Sequence, residues 1–224
     1  MNTFETEQLL KRIVDQVIHE CTATVVGSEQ AANGRKEIPI ETSARHVHLC
    51  QSDVEALFGH GHQLTPKREL SQPGQYLCEE RVTVIGPKGT LENVAVLGPA
   101  RSESQVEISR TDARQIGVNA PLKESGDITG SPGVFLHSGT GMVQLNKGVI
   151  VARNHIHMTT VDALRLGVKD KQEVDVRVET DRPLTFHRVL VRVRDGFALA
   201  MHIDFDEANA VGLSSGIKGE LIIC

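Results

Sequence analysis

Aromatic residues are scarce in this chain, which has no Trp, one Tyr and six Phe among 224 residues. Little surface is left for stacking on bases, and a net charge of -5 with a pI near 6.1 offers no general attraction for a polyanion. Nucleic-acid binding is excluded as a first reading. Cysteine is equally sparse: Cys21, Cys50, Cys78 and Cys224 are scattered without a CxxC pair, which excludes a disulfide framework and a thiolate zinc knuckle and fits a reducing cytoplasm. Long apolar runs are missing too. Glu5, Glu7, Lys11, Arg12 and Asp15 interrupt the apolar residues near the N-terminus, so no signal-peptide core forms, and no later run is long enough to span a bilayer. The expectation is a soluble intracellular protein with no membrane partner, long enough for two small lobes that each bury a core.

What is present begins with an amphipathic pattern. Over residues 6–19, Leu9, Leu10, Ile13, Val14, Val17 and Ile18 fall on one helical stripe with charge elsewhere, predicting a helix within residues 1–26. Residues 27–37 are polar, contain glycine and lack periodicity, and read as a linker. From Ile38 onward short β segments dominate: VTVI at 82–85, VAVL at 94–97, VDVRV at 174–178, VLVRVR at 189–194 and FALAM at 197–201. Gly/Pro punctuation such as GPKG at 86–89 and GSPG at 130–133 separates them, as in barrels or sandwiches. Helical stretches are short: VEALFG, TDARQIG, VDALRLG and DEANAVG.

These four stretches form a repeat. Glu107 leads through Asp112-Ala113 to Gly117, His157 through Asp162-Ala163 to Gly167, and His202 through Glu207-Ala208 to Gly212, at identical offsets. A looser fourth copy runs from His48 through Glu55-Ala56 to Gly59. Each unit is a strand, a turn and a helix ending at a glycine suited to a C-cap. His, Glu, His and His occupy the corresponding place.

A strand points residues i and i+2 to one face, so His46/His48 and His155/His157 can each converge on one ion. Pattern alone is weak, because ten histidines in this length predict roughly half an HxH pair by chance. The third pair, His60/His62, lies in the loop GHGHQ outside the repeat and reads as a solvated loop. The other two pairs gain from the repeat, which sets Glu107, His157 and His202 in register, all of them good zinc ligands. Six ligands suit two sites, His46/His48/Glu107 and His155/His157/His202, each with three protein ligands and an open position, and open positions imply chemistry rather than bracing. Arg101, six residues before Glu107, either brings a forked cation to the site, pointing to an anionic substrate such as phosphate, or pairs with Glu103 at the surface. Residues 125–133, SGDITGSPG, form an anion nest or a plain turn. Cys50 reads as filler.

The segments IPIETSARHVHL, LSQPGQYLCEERVTVIGPKG, VLGPARSESQVEISRTDAR, SGDITGSPG, GVIVARNHIHM and HIDFDEANA resemble the PduL-type phosphate propanoyltransferases, the phosphotransacylases of bacterial microcompartments, across residues 38–224. The resemblance implies a mainly β fold of two small β-barrels capped by short α-helices, residues 38–44 plus 153–224 forming the first and 45–152 the second. It implies reversible conversion of a short-chain acyl-CoA, propanoyl or acetyl, and phosphate to acyl phosphate and CoA. It also implies two Zn²⁺ per chain, one on His46, His48 and Glu107 and one on His155, His157 and His202, with Arg101 holding phosphate. Positions similar to the family's CoA-lining residues are Ser43, Arg68, Leu97 and Asn209, while Ala95 stands where some members carry arginine. The N-terminal helix is similar to the peptides that dock enzymes to microcompartment shell or cargo proteins, which would place the chain in the microcompartment lumen; an ordinary oligomerisation helix is the alternative. A homodimer or higher oligomer is expected. Two rivals remain on the residues alone, a dinuclear zinc hydrolase and a non-catalytic metal-binding scaffold.

Overall fold

The computed structural model describes residues 36–223. The N-terminal helix and nearly all of the linker read from the sequence lie outside them, and the linker's last residue, Glu37, already begins the first strand. Two β-sheets make up the body. The first is a closed six-stranded barrel of β1 (Glu37–Thr42), β11 (His155–Met158), β12 (Glu173–Val178), β13 (Leu184–Val193), β14 (Ala200–Ile203) and β15 (Lys218–Ile222), ordered β1-β14-β11-β13-β12-β15. The second sheet has nine strands: β2 (His46–His48), β3 (Pro66–Glu69), β4 (Tyr76–Ile85), β5 (Thr90–Gly98), β6 (Gln105–Glu107), β7 (Leu122–Lys123), β8 (Val134–His137), β9 (Met142–Leu145) and β10 (Val149–Ala152). Its order runs β7-β10-β6-β2-β5-β4-β8-β9, with β3 on β4, and it curls without closing. The mainly β architecture expected from the short strands is present, one barrel complete and the other a half-barrel.

Four short helices punctuate the sheets: α1 (Gln51–Phe58), α2 (Arg110–Ile116), α3 (Thr160–Leu166) and α4 (Phe205–Val211). Three follow one local design. Ser109, Thr159 and Asp204 each cap the helix through the backbone N–H three residues on, and Asp112, Asp162 and Glu207 return the bond to complete a capping box. Gly117, Gly167 and Gly212 then end the helices at φ of 76°, 72° and 61°, a left-handed turn that costs a glycine nothing. The fourth copy departs as its spacing foretold: Cys50 forms no side-chain cap, and Gly59 is not in the left-handed helical conformation. Its last turn is tied instead to the β8–β9 hairpin at the half-barrel's open edge, where Thr140 Oγ1 donates to the Leu57 carbonyl at 2.8 Å.

One strand departs from the sequence reading. FALAM was expected to be a strand over 197–201, but β14 starts at Ala200 and runs to Ile203. Asp195-Gly196 closes a turn in which Phe197 N–H donates to the Arg194 carbonyl at 2.9 Å, so Phe197 leaves the strand path.

The two halves exchange strands. β1 belongs to the barrel, pairing with β14 and β15, yet the chain passes from it directly into β2 of the other sheet. Conversely β10 pairs with β6 and β7 of the half-barrel, and the chain passes from it into β11 of the barrel. Between the His residues of each HxH pair, Val47 and Ile156 are fully buried in separate hydrophobic clusters, one per sheet. Period-two alternation then forces His46/His48 and His155/His157 away from those cores. No helix among the described residues is long and apolar enough to cross a membrane.

Replacing Thr159 by Ala removes the hydroxyl acceptor that caps α3 and should cost about 1 kcal/mol. Thermal unfolding at fixed metal content should show the midpoint lowered by about 2–4 °C; an unchanged midpoint would refute the capping role.

Candidate metal centre

Strand register assembles the two ligand groups in the same way. In the half-barrel β2 runs antiparallel to β6 with His46 opposite Glu107. In the barrel β11 runs antiparallel to β14 with His155 opposite His202. His46, His48 and Glu107 thereby form one group and His155, His157 and His202 another, the candidate ligand atoms of each lying within 4.8 Å of one another. This is the grouping expected from chain order. His60 and His62 join neither: His60 pairs with Glu55 at 2.8 Å and His62 with Glu80 at 2.7 Å, in the loop where the sequence placed them.

Strand exchange brings the groups together. The crossovers Ser43–Arg45 and Arg153–Asn154 run beside each other, and His46, Glu107, His155 and His202 line one cavity of about 20 Å³ between them, room for about one water. Two equivalent contacts brace the crossovers. Arg45 Nη2 lies 3.1 Å from Asp112 Oδ1 at the start of α2, and Asn154 Nδ2 donates to Glu207 Oε1 at 2.8 Å at the start of α4. Thr111 N–H also donates to Asp206 Oδ2 at 2.9 Å, joining the two helix starts.

Two of the histidines present the nitrogen that a metal ion would take. His46 Nδ1 lies 2.7 Å from the Ala44 carbonyl and His155 Nδ1 2.8 Å from the Arg153 carbonyl, so each donates from Nδ1 and keeps the Nε2 lone pair for its group, the orientation usual in metal-bound imidazoles. Nδ1 of His48 and Nδ1 of His157, both buried, complete no hydrogen bond. An unpaired buried polar atom is costly, and a metal ion bound at Nδ1 itself would remove that cost in either ring. Burial, reinforced by neighbouring imidazoles, pushes His48 down to about 3, His157 to about 2 and His202 to about 3, and burial also lowers His155. These rings are neutral at pH 7, the form a metal needs. Behind His202, Glu41 Oε2 lies 3.7 Å from Nδ1.

Burial of Glu107 disfavours its charge, but His46 and His48 beside it and a bond from Ser125 outweigh that and hold its carboxyl well below the usual range. Burial likewise pushes His46 down, and Glu107 more than reverses it, so His46 is raised. The first group thus asks for a positive charge that a proton or a metal ion can meet. Three imidazoles in one group, and two imidazoles with a carboxylate in the other, fit zinc with an open position at each.

Arg101 enters this network from the end of β5. Its N–H donates to the Leu49 carbonyl at 2.8 Å, and its Nη1 donates to Ser125 Oγ at 3.3 Å. Ser125 donates onward to Glu107 Oε1 at 2.6 Å, and Gln105 Nε2 donates to the same oxygen. The alternative partner Glu103 pairs with Lys147 at 2.7 Å, leaving Arg101 to the site. In residues 125–133 the N–H of Gly126 goes to Gln105 Oε1 and that of Thr129 to Asp127 Oδ1, so the segment is a turn whose contribution is Ser125.

A cleft of about 860 Å³ opens over both groups, well sized for a substrate with a long carrier. Arg45, Arg68, Arg81, Arg101, Arg192 and Arg194 line it, with Ser43, Ala95 and Leu97. Asn209 is not among the lining residues; it is exposed on α4, where its carbonyl accepts from Arg182 at 3.4 Å. Cys50 stays outside as well, its Sγ 3.1 Å from Ser52 Oγ.

Sequence reasoning passed over Arg192, Arg194, Ser125, Gln105 and Gln72. Arg192 stands opposite His157 in the β11–β13 register. The Arg194 N–H donates to the Met158 carbonyl at 3.0 Å, the bond that Arg101 makes to Leu49 in the other half. Only the repeat carried to the following strand could have signalled this equivalence.

A family model described as phosphate propanoyltransferase matches residues 39–214. A phosphate propanoyltransferase of Leptotrichia buccalis is 55% identical over 208 residues, covering 93% of this chain and 97% of that protein. One of Clostridioides difficile is 50% identical over 216 residues, 96% and 98% of the two chains. A third, of Enterococcus faecalis, is 55% identical over 183 residues, 82% and 87%. Both ligand groups and Arg101 fall inside the matched span, and the chain belongs to the phosphate propanoyltransferase family.

Proposed function

We propose that the protein is a phosphate acyltransferase that converts propanoyl-CoA, and acetyl-CoA as a second substrate, with phosphate to acyl phosphate and CoA, reversibly, at a centre of two zinc ions. The observation that carries this reading is the pair of three-ligand groups facing each other at the base of an arginine-lined cleft. The names of the relatives support the reaction.

The residues divide the work by charge. His46, His48 and Glu107 would hold one ion and His155, His157 and His202 the other. When bound, two zinc ions supply Lewis-acid charge for the phosphate and thioester oxygens and an affinity for the departing thiolate. Arg101, fixed by Ser125, offers a forked donor to phosphate beside Glu107 and restrains its orientation toward the thioester carbonyl. A phosphate oxygen attacks that carbon and the C–S bond breaks, giving acyl phosphate and CoA thiolate, with no covalent enzyme intermediate. Ser43, Arg68 and Leu97 lie in the cleft where CoA would extend, and the remaining arginines suit its phosphates.

Location and partners follow from residues 1–26, whose amphipathic stripe suits docking to shell or cargo proteins of a microcompartment lumen. A homodimer is the proposed assembly.

The deciding assay follows CoA release from propanoyl-CoA with and without phosphate. Phosphate-dependent release with acyl phosphate as product is expected; phosphate-independent release giving free acid would identify a hydrolase. His202→Ala should remove about one zinc ion per chain and abolish turnover, and full zinc content by elemental analysis would overturn the ligand grouping. Arg101→Ala should keep its zinc while kcat/KM for phosphate falls about ten- to a hundred-fold, the worth of a charged hydrogen bond; unchanged phosphate dependence would sink the role. Removing residues 1–26 should leave turnover intact and abolish co-sedimentation with microcompartments, and unaltered co-sedimentation would contradict the docking assignment.

A further inference from the structure

The alkyl carbons of a propanoyl group lie immediately beside the carbonyl carbon under attack, so whatever meets them must border the ligand groups. Most of that border is charged or polar, and burying a methyl against it wins nothing. Phe197 differs from the cleft's other apolar residues in that its ring touches a histidine of the groups. It lines the cleft, and its ring stacks on His157 with centroids 4.1 Å apart and planes 29° apart, the one Phe ring contact to either group among the described residues. Of the cleft's other large apolar residues, Leu77 and Leu97 face each other across β4 and β5 on the opposite sheet, and Phe205 stands exposed at the start of α4.

Phe197 is also held firmly. The Asp195-Gly196 turn takes it off the strand path, and Gln72, reaching across from the half-barrel, clamps the next residue at both ends. Gln72 Nε2 donates to the Ala198 carbonyl at 3.0 Å and its Oε1 accepts from Ala198 N–H at 3.2 Å. Gln72 is buried, and its amide also lies 3.3 Å from His202 Nε2. Arg194 stands over the ring, its Cζ 5.8 Å from the centroid. A ring stacked on His157 and carried on a backbone that Gln72 holds presents an apolar wall, and such a wall discriminates by length.

We propose that Phe197 sets the acyl-chain length this enzyme accepts, closing the end of the space in which the alkyl part of the acyl-CoA sits. This rests on the acyl-transfer reading above. The test uses the full-length, zinc-loaded chain and compares kcat/KM for acetyl-, propanoyl- and butanoyl-CoA at saturating phosphate. Phe197→Ala should raise the butanoyl-to-propanoyl ratio about tenfold or more, since one methylene in an apolar pocket is worth at least that. Phe197→Leu should raise it by less, and both variants should keep the zinc content of the parent. Because the readout is a ratio between substrates, a general loss of folded enzyme cancels; if Phe197→Ala does not stay soluble, Phe197→Leu decides by the same ratio. Ratios within about twofold of the parent in zinc-loaded variants would overturn the assignment. A parent chain without phosphate-dependent CoA release from any of the three would instead bring down the acyl-transfer reading, whereas an active parent with unshifted variants removes only the role of Phe197.

Discussion

Everything at the centre of this protein depends on the exchange of one strand between its two halves. Each half gives its leading strand, β1 or β10, to the other's sheet. The two crossovers that result must run side by side, and an HxH strand follows each. Were β1 paired within its own half, both HxH strands could still form, but the side-by-side crossovers that set one group beside the other would be lost. The equivalent braces from Arg45 to Asp112 and from Asn154 to Glu207 fix the crossovers to the helix starts. The site is in this sense a property of the seam, and its candidate ligands are buried or half-buried because the partner half covers the face that period-two alternation turned away from each core.

Burial sets the electrostatics in turn. Imidazoles removed from water lose their affinity for protons, so four of the five are neutral, while Glu107 stays ionised against His46. The two groups together carry little negative charge of their own. Metal ions bound there would leave the seam net positive, and the arginines of the cleft extend that field outward, which suits a reaction between phosphate and a phosphate-rich carrier. The asymmetry between halves also matters. Glu107 stands where His202 stands in the other half, and Ser125 and Gln105 secure it, linking the first group to Arg101. His202 is approached by Gln72 and Glu41 instead. Twofold design with unlike candidate ligands gives two groups of different charge.

The sequence by itself determined the local units and their register. Offsets from Glu107, His157 and His202 to the helix-ending glycines are set by capping boxes and left-handed turns, which act within a dozen residues and so leave a readable pattern. The division of the candidate ligands into two threes followed from the repeat, which aligns Glu107 with His202, and from i and i+2 on a strand sharing a face wherever the strand goes. The extra residue before Gly59 likewise announced a helix built differently. What only the tertiary structure decided is whatever joins residues far apart in the chain. The strand exchange, the shared cavity, Ser125 beneath Arg101, and Arg192 opposite His157 depend on pairings of strands that no local period encodes. FALAM reads as a strand by composition, yet the Asp195-Gly196 turn and the grip of Gln72 on Ala198 carry Phe197 out of it and onto His157. Local propensity concerns the backbone of a segment; where its side chains go is settled by the partner that packs against it, and here that partner comes from the other half of the chain.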